Sequence, residues 1–178
     1  MTIKNSTQTT IAISDICSTI ASARPNTGYV VFSTGLLNTL SQSHGYDYQR
    51  LLEVAQREII HLLAMNVKLF PLFSPAQTTT LKVFYTFLGA LPVVSTPKVL
   101  VEAKAYFNCT NITSIPLVLN GSTYNWFPTV LFYDIMSDYV GNEGVERKLS
   151  RMTLALLEDS GWYTVNYTAS QSSGWGYQ

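Results

Sequence analysis

The stretch LLEVAQREIIHLLAMN, residues 51–66, is the strongest structural signal in the chain. Its apolar residues recur every three or four positions, which predicts an α-helix over residues 46–66. They also occur on nearly every side of that helix, so we expect it to be buried. Glu58 and His61 lie in its middle, three residues apart. The helix therefore carries the candidate chemistry.

The composition is that of a folded, near-neutral chain. Its 178 residues suffice for one domain with a real core. Eleven basic and eleven acidic residues cancel, which argues against a nucleic-acid partner. No apolar run approaches the length of a transmembrane segment. We expect a single domain over residues 1–178.

The rest of the chain gives shorter signals. They indicate a strand at 28–32, a segment ambiguous between strand and helix at 78–91 and a helix at 97–107. A loop at 108–128, a tight turn at 133–144 and a second helix at 149–162 follow. The Thr96-Pro97 pair suits the start of the first of these helices. Residues 1–23 are expected to be poorly structured, and residues 168–178 to form an irregular tail.

The tetrapeptide 58–61 is part of a metal-binding pattern. A His-Glu-x-x-His helix binds zinc through its two histidines and activates the metal-bound water through the glutamate. Here residue 57, one turn before His61, is an arginine. Arginine has no lone pair to donate and stays protonated. At about 4 Å and an effective dielectric of about 20, its charge would oppose a divalent ion by several kcal/mol. Taken alone, a Glu and a His on a helix are more often ordinary structural residues.

Six segments in the same order along the chain make the pattern more specific: RPNTGYVVF (24–32), LLEVAQREIIHLLAMN (51–66), VKLFPLFSP (67–75), TPKVLVEAKAYFNC (96–109), NGSTYNWFPTVLFYDIM (120–136) and LALLEDSGWYTVNY (154–167). Together they resemble the leishmanolysin family of zinc endopeptidases, within the metzincins, over about residues 20–177. The resemblance implies an α+β, metzincin-like zincin core. Its active-site helix would pack on a small mixed sheet, and its C-terminal half would be mostly helical and irregular, with a Met-turn.

The residues that match the family's site are a mixed set. By resemblance, Glu58 is the general base and His61 the second zinc ligand. Met136 matches the methionine of the Met-turn. Arg57 replaces the first ligand, and Asn125 stands at the place of the third. The resemblance therefore implies the scaffold of the enzyme with a degraded zinc site.

The first functional hypothesis is a leishmanolysin-like pseudo-metallopeptidase that acts as a binding or structural subunit and needs no cofactor. Its partners would be proteins or peptides, with an edge strand near residues 28–33 or 80–88 able to pair with an extended segment. The alternative is an active zinc metalloendopeptidase with an atypical site. It would use Glu58 and His61 with a carboxylate such as Asp134 or Asp138, and His44 is an optional further ligand. A third hypothesis is an assembly component of a larger complex.

The cysteines and asparagines bear on two further questions, disulfide formation and glycosylation. Cys17 and Cys109 are compatible with one disulfide or with two free thiols. Ten asparagines in a chain one-fifth Ser and Thr predict about two N-x-S/T matches by chance. The chain has five, which makes it a candidate glycoprotein, although Ser/Thr-rich loops alone could produce them: Asn5, Asn108, Asn111, Asn120 and Asn166. The N-terminus does not read as a signal peptide, whereas the family habit is secreted or cell-surface.

Overall fold

The computed structural model describes residues 12–35, 46–74, 81–86, 89–138 and 146–172. The chain divides into two compact units, Met1–Leu63 and Ala64–Gln178. Both helices and strands occur, so the α+β prediction is confirmed. Among the described residues, no helix is both long and apolar enough to cross a lipid bilayer.

The first unit is a β-hairpin with one long helix packed on it. Strands β1 (Ala12–Thr19) and β2 (Pro25–Phe32) pair antiparallel, and helix α1 (Tyr46–Leu63) lies against both. A side chain at Gly28 would come within 2.8 Å of the Leu62 side chain, so a glycine lets the helix approach the strand closely.

Three expectations for this unit are corrected. Residues 12–19, within the segment expected to be poorly structured, form β1. The sheet beneath α1 is purely antiparallel, not mixed. The helix is not fully buried either, because Leu52 is 38% and Ile59 49% exposed. Its apolar residues cover more sides than the two-stranded hairpin can shield.

The second unit is built on a four-stranded antiparallel sheet in the order β3-β4-β5-β6. The strands are β3 (Leu81–Thr86), β4 (Gly89–Val94), β5 (Ile115–Asn120) and β6 (Thr123–Trp126). The ambiguous segment 78–91 thus resolves into strand in its described part. The segment 108–128, expected to be a loop, contains the β5-β6 hairpin. The C-terminal half is therefore less helical and irregular than predicted.

Two helices of the second unit pack against each other, α2 (Pro97–Tyr106) and α3 (Arg151–Asp159). Thr96 occupies the N-cap position of α2, as expected, but its hydroxyl makes no capping bond. Asp159 caps α2 instead, because its carboxylate accepts hydrogen bonds from the backbone N–H groups of Lys98 and Val99 at 2.9 and 3.0 Å. A residue at the end of α3 thereby provides the acceptor for backbone N–H groups in the first turn of α2, which have no partner within their own helix.

Short 3₁₀ segments lie at Phe70–Leu72 and Tyr167–Ala169. The second of these reaches into the tail expected to be irregular, and Gln171 donates its N–H to the Leu149 carbonyl at 2.9 Å. Residues 173–178 lie outside the described part. The core of the unit is made of large, fully buried side chains: Met65, Leu69, Val94, Val99, Leu117, Trp126, Met136, Met152 and Leu156.

Candidate functional site

Helix α1 carries three of the predicted site residues on about one turn. Glu58 is buried and His61 is 2% exposed, while Arg57 is half-buried. Residues 57 and 61 are four positions apart, so they share one face of the helix. The first unit thus keeps the glutamate and the second histidine of the zinc-binding pattern in a closed environment, with a cation at the position of the first histidine.

Glu58 has a partner that the sequence did not reveal. The Ser14 hydroxyl of β1 donates to Glu58 Oε2 at 2.6 Å, and both side chains are buried. Burial raises the pKa of the Glu58 carboxyl, while the Ser14 hydrogen bond and the charge of Arg57 lower it. One oxygen of the predicted general base is therefore occupied by a neighbouring strand. The charge of Arg57 also acts on this carboxylate.

Asn125, at the predicted third ligand position, lies on β6 of the second unit and is 1% exposed. Its Nδ2 donates to Asp138 Oδ1 at 3.2 Å, whereas its Oδ1 is buried without a hydrogen-bond partner. An amide oxygen is a weaker zinc ligand than an imidazole nitrogen. The side chain therefore offers a single neutral oxygen where the zinc-binding pattern calls for imidazole.

Met136 is fully buried within a tight turn, where a turn was expected from the sequence. The turn closes with the Ser137 N–H on the Asp134 carbonyl at 3.0 Å. The Met136 N–H donates to Asp134 Oδ1, and its carbonyl accepts the backbone N–H of Trp126. The methionine is thus held rigidly between the turn and β6. Residues 139–144 of the predicted turn lie outside the described part.

Asp134 is the polar centre of the second unit. Its Oδ2 accepts the Ser150 N–H at 3.2 Å and the Thr153 hydroxyl at 2.8 Å, and that hydroxyl also accepts the Trp126 indole N–H. Burial raises the pKa of the Asp134 carboxyl, and these hydrogen bonds oppose the rise. Because both oxygens are engaged by N–H and O–H donors, the carboxylate serves the fold and is a poor candidate for a metal ligand.

The described residues at the predicted ligand positions differ from the donor set of a catalytic zinc ion. Such an ion takes three protein ligands and a water. In the part of the chain that is described, no three His, Cys, Asp or Glu side chains are grouped in a way that could hold a metal. His44, invoked for an atypical site, lies outside the described residues. Arg57 and Asn125 supply a cation and an amide where the pattern calls for imidazoles.

The two cysteines are free and exposed, Cys17 on β1 and Cys109 after α2. The candidate disulfide between them is therefore not formed in this structure. Their exposure leaves the surface thiols available to solvent.

A family model for leishmanolysin matches residues 1–178. Leishmanolysin-like peptidases are similar to the chain at 26% identity, from Drosophila pseudoobscura pseudoobscura over 86% of the chain and from Caenorhabditis elegans over 76%. A ciliated left-right organizer metallopeptidase from Danio rerio is 28% identical over 90% of the chain.

The chain belongs to the leishmanolysin family. It spans about a quarter of the length of these relatives, 27%, 26% and 27% respectively. The family resemblance inferred from the sequence is thus confirmed.

Proposed function

We propose that this chain is a leishmanolysin-like pseudo-metallopeptidase that binds protein or peptide partners without cleaving them. The observation that carries the proposal is Arg57, which stands one helical turn before His61 where a neutral imidazole would have to donate electrons to zinc. A permanently protonated side chain at that position repels the dication instead of holding it.

Two further observations support the loss of catalysis. Glu58 Oε2 accepts the Ser14 hydroxyl at 2.6 Å, so the predicted general base is tied to β1. Asn125 donates to Asp138, and only its amide oxygen remains for any other partner. The Ser14 hydrogen bond engages the residue predicted to activate water, and Asn125 stands at a position predicted to coordinate the metal.

A binding role is supported by unpaired strand edges. Among the described strands, β2 pairs only with β1, and β3 pairs only with β4. An edge strand offers backbone N–H and C=O groups to an extended peptide. Strand β2 contains residues 28–32 and β3 contains residues 81–86 of the segments 28–33 and 80–88 that the sequence singled out.

The decisive experiment restores the missing ligands. The double variant Arg57→His, Asn125→His should bind zinc after equilibration with a zinc salt and gel filtration, as measured by elemental analysis. The matched control is Gln56→His with Asn125→His, which adds the same number of imidazoles but places one on the neighbouring, exposed position of α1. Zinc bound by the first variant alone supports the proposal. If it stays metal-free with native circular dichroism, the ligand assignment is wrong.

The competing function is an active zinc metalloendopeptidase with an atypical site. It is favoured by the retention of Glu58 and His61 in buried positions and by relatives that are named peptidases. Fluorescent casein, used as an unstructured probe, separates the two. The pseudoenzyme leaves casein intact in the presence of zinc, whereas cleavage that a chelator abolishes would establish the peptidase.

A further inference from the structure

Helix α1 carries a row of exposed apolar side chains. Tyr48 is 67%, Leu52 38% and Ile59 49% exposed, and the half-buried Ala55 lies between the last two. Their successive spacings of four, three and four positions place them in one continuous line along the helix. These four residues, Tyr48, Leu52, Ala55 and Ile59, are termed the apolar stripe.

No charged side chain interrupts the apolar stripe. Two exposed glutamines, Gln49 and Gln56, border it on one flank. A helix turns by about 100° per residue, so the charged residues of α1 whose side chains are described lie about 100° or more around the helix from the middle of the stripe: Arg50, Glu53, Arg57 and Glu58. Charged residues are depleted in the centre of protein interfaces, whereas solvent-facing helix surfaces are normally charged or polar. The stripe therefore has the composition of an interface centre.

We propose that the apolar stripe binds the same stripe of a second copy of this chain, with the two α1 helices antiparallel. The stripe is complementary to itself when a two-fold axis passes between Ala55 and Gln56. Leu52 then faces Ile59 of the partner subunit, because the two residues are equally far from that axis. The small Ala55 side chain at the centre lets the helices approach closely, and antiparallel packing opposes their dipoles favourably. The uncharged borders bring no like charges together.

The size of the stripe determines how strong this dimer can be. Helix α1 has 18 residues and is therefore about 27 Å long. Four side chains per copy, already partly buried, form a contact smaller than the roughly 1,200 Å² that stable complexes bury in total. We therefore expect a reversible dimer that forms between micromolar and millimolar concentrations.

A single charge in the stripe should abolish the dimer. Leu52→Glu and Ile59→Lys each place a charge against an apolar side chain of the partner, and the two-fold axis repeats that contact. Both residues are partly exposed, so the variants should fold, which far-ultraviolet circular dichroism verifies. Val101→Glu is the matched control, because Val101 on α2 is 64% exposed and lies outside the stripe.

A mixture of the two charged variants tests the antiparallel arrangement. In that arrangement the glutamate introduced in one variant meets the lysine introduced in the other, while the second contact between Leu52 and Ile59 remains unchanged. The mixture should therefore associate although neither variant does so alone. In a parallel pair the two introduced charges would lie one helical segment apart and would each face an apolar side chain.

Sedimentation equilibrium of the 178-residue chain across the micromolar to millimolar range measures the result. We expect a concentration-dependent dimer that is lost in Leu52→Glu and in Ile59→Lys, retained in Val101→Glu and restored by mixing the first two variants. A monomer at every concentration, a dimer that both stripe variants leave intact, or a mixture that stays monomeric would overturn the proposal.

Discussion

Asp134 holds the turn that contains Met136, because its Oδ1 accepts the Met136 backbone N–H at 2.6 Å. The same carboxylate accepts the N–H of Ser150, the N-cap residue of α3, through Oδ2. One buried side chain thus ties a turn to the start of a helix. The framework around the methionine is held by polar contacts within the second unit.

Replacing Asp134 with alanine should destabilise the chain strongly. The change leaves the Met136 and Ser150 N–H groups and the Thr153 hydroxyl buried without their acceptor, at a cost of roughly 3 kcal/mol or more. Urea denaturation measures the loss. The control Asp138→Ala removes a half-buried carboxylate that accepts the Asn125 amide, and should cost less. Equal losses for the two variants would contradict the role assigned to Asp134.

Two glycines with positive φ should respond very differently to alanine. Gly161 has φ +79°, and a Cβ there would overlap the Ser74 carbonyl oxygen, so Gly161→Ala should cost about 3 kcal/mol or more. Gly121 has φ +59° with open space around it, so Gly121→Ala should cost only about 1–2 kcal/mol. Thermal unfolding followed by circular dichroism distinguishes the two. A Gly121 variant as unstable as the Gly161 variant would be inconsistent with this difference.

Capping of α2 should depend on Asp159 and not on Thr96. Asp159→Ala removes the acceptor of the Lys98 and Val99 N–H groups and should cost about 1 kcal/mol. The Thr96 hydroxyl is buried without a partner, so Thr96→Val should stabilise the chain by about 1 kcal/mol. Chemical denaturation of both variants measures whether each substitution lowers or raises the free energy of unfolding. A destabilised Thr96→Val variant would show that the hydroxyl has a role after all.

Stability should fall as pH rises from the ordinary range of a glutamate upward through the folded-state pKa of Glu58. Burial raises that pKa, so the folded chain holds the proton more tightly than the unfolded chain in this window. Glu58→Gln should remove this part of the pH dependence. Ser14→Ala, which deletes a hydrogen bond that lowers the pKa, should extend the window to higher pH.

Denaturation curves recorded across acidic to neutral pH measure this effect. The control Glu146→Gln removes one exposed carboxylate and accounts for the change in net charge. If the parent chain and Glu58→Gln have parallel profiles, the glutamate is not the group responsible.

The helices were more predictable from the sequence than the strands. The long apolar period of residues 51–66 predicts α1 because helical periodicity is local. The β5-β6 hairpin was missed, although Gly121-Ser122 between two strand-like runs is a known turn signal. Abundant Thr, Asn and Gly in residues 108–128 outweighed it in the prediction. Strand β1 was missed because half of its residues are polar and the apolar ones do not alternate with them, so its pairing with β2 is decided by the tertiary structure.

In the candidate site, too, the residues within one helix were predictable from the sequence and the long-range contact was not. Arg57, Glu58 and His61 follow from one helix, so their identity and spacing are visible in the sequence. Ser14 is 44 residues from Glu58, and no local pattern connects the two. Such contacts depend on packing and become visible only in the folded chain.

We propose that Arg57 prevents this chain from holding catalytic zinc. The most direct measurement is the zinc content of the unmodified chain, equilibrated with a zinc salt, passed through gel filtration and analysed by mass spectrometry of the element. We predict a content no higher than that of a matched Glu58→Gln, His61→Gln variant. One zinc ion retained per chain, and lost in that variant, would show that Arg57 does not prevent zinc binding.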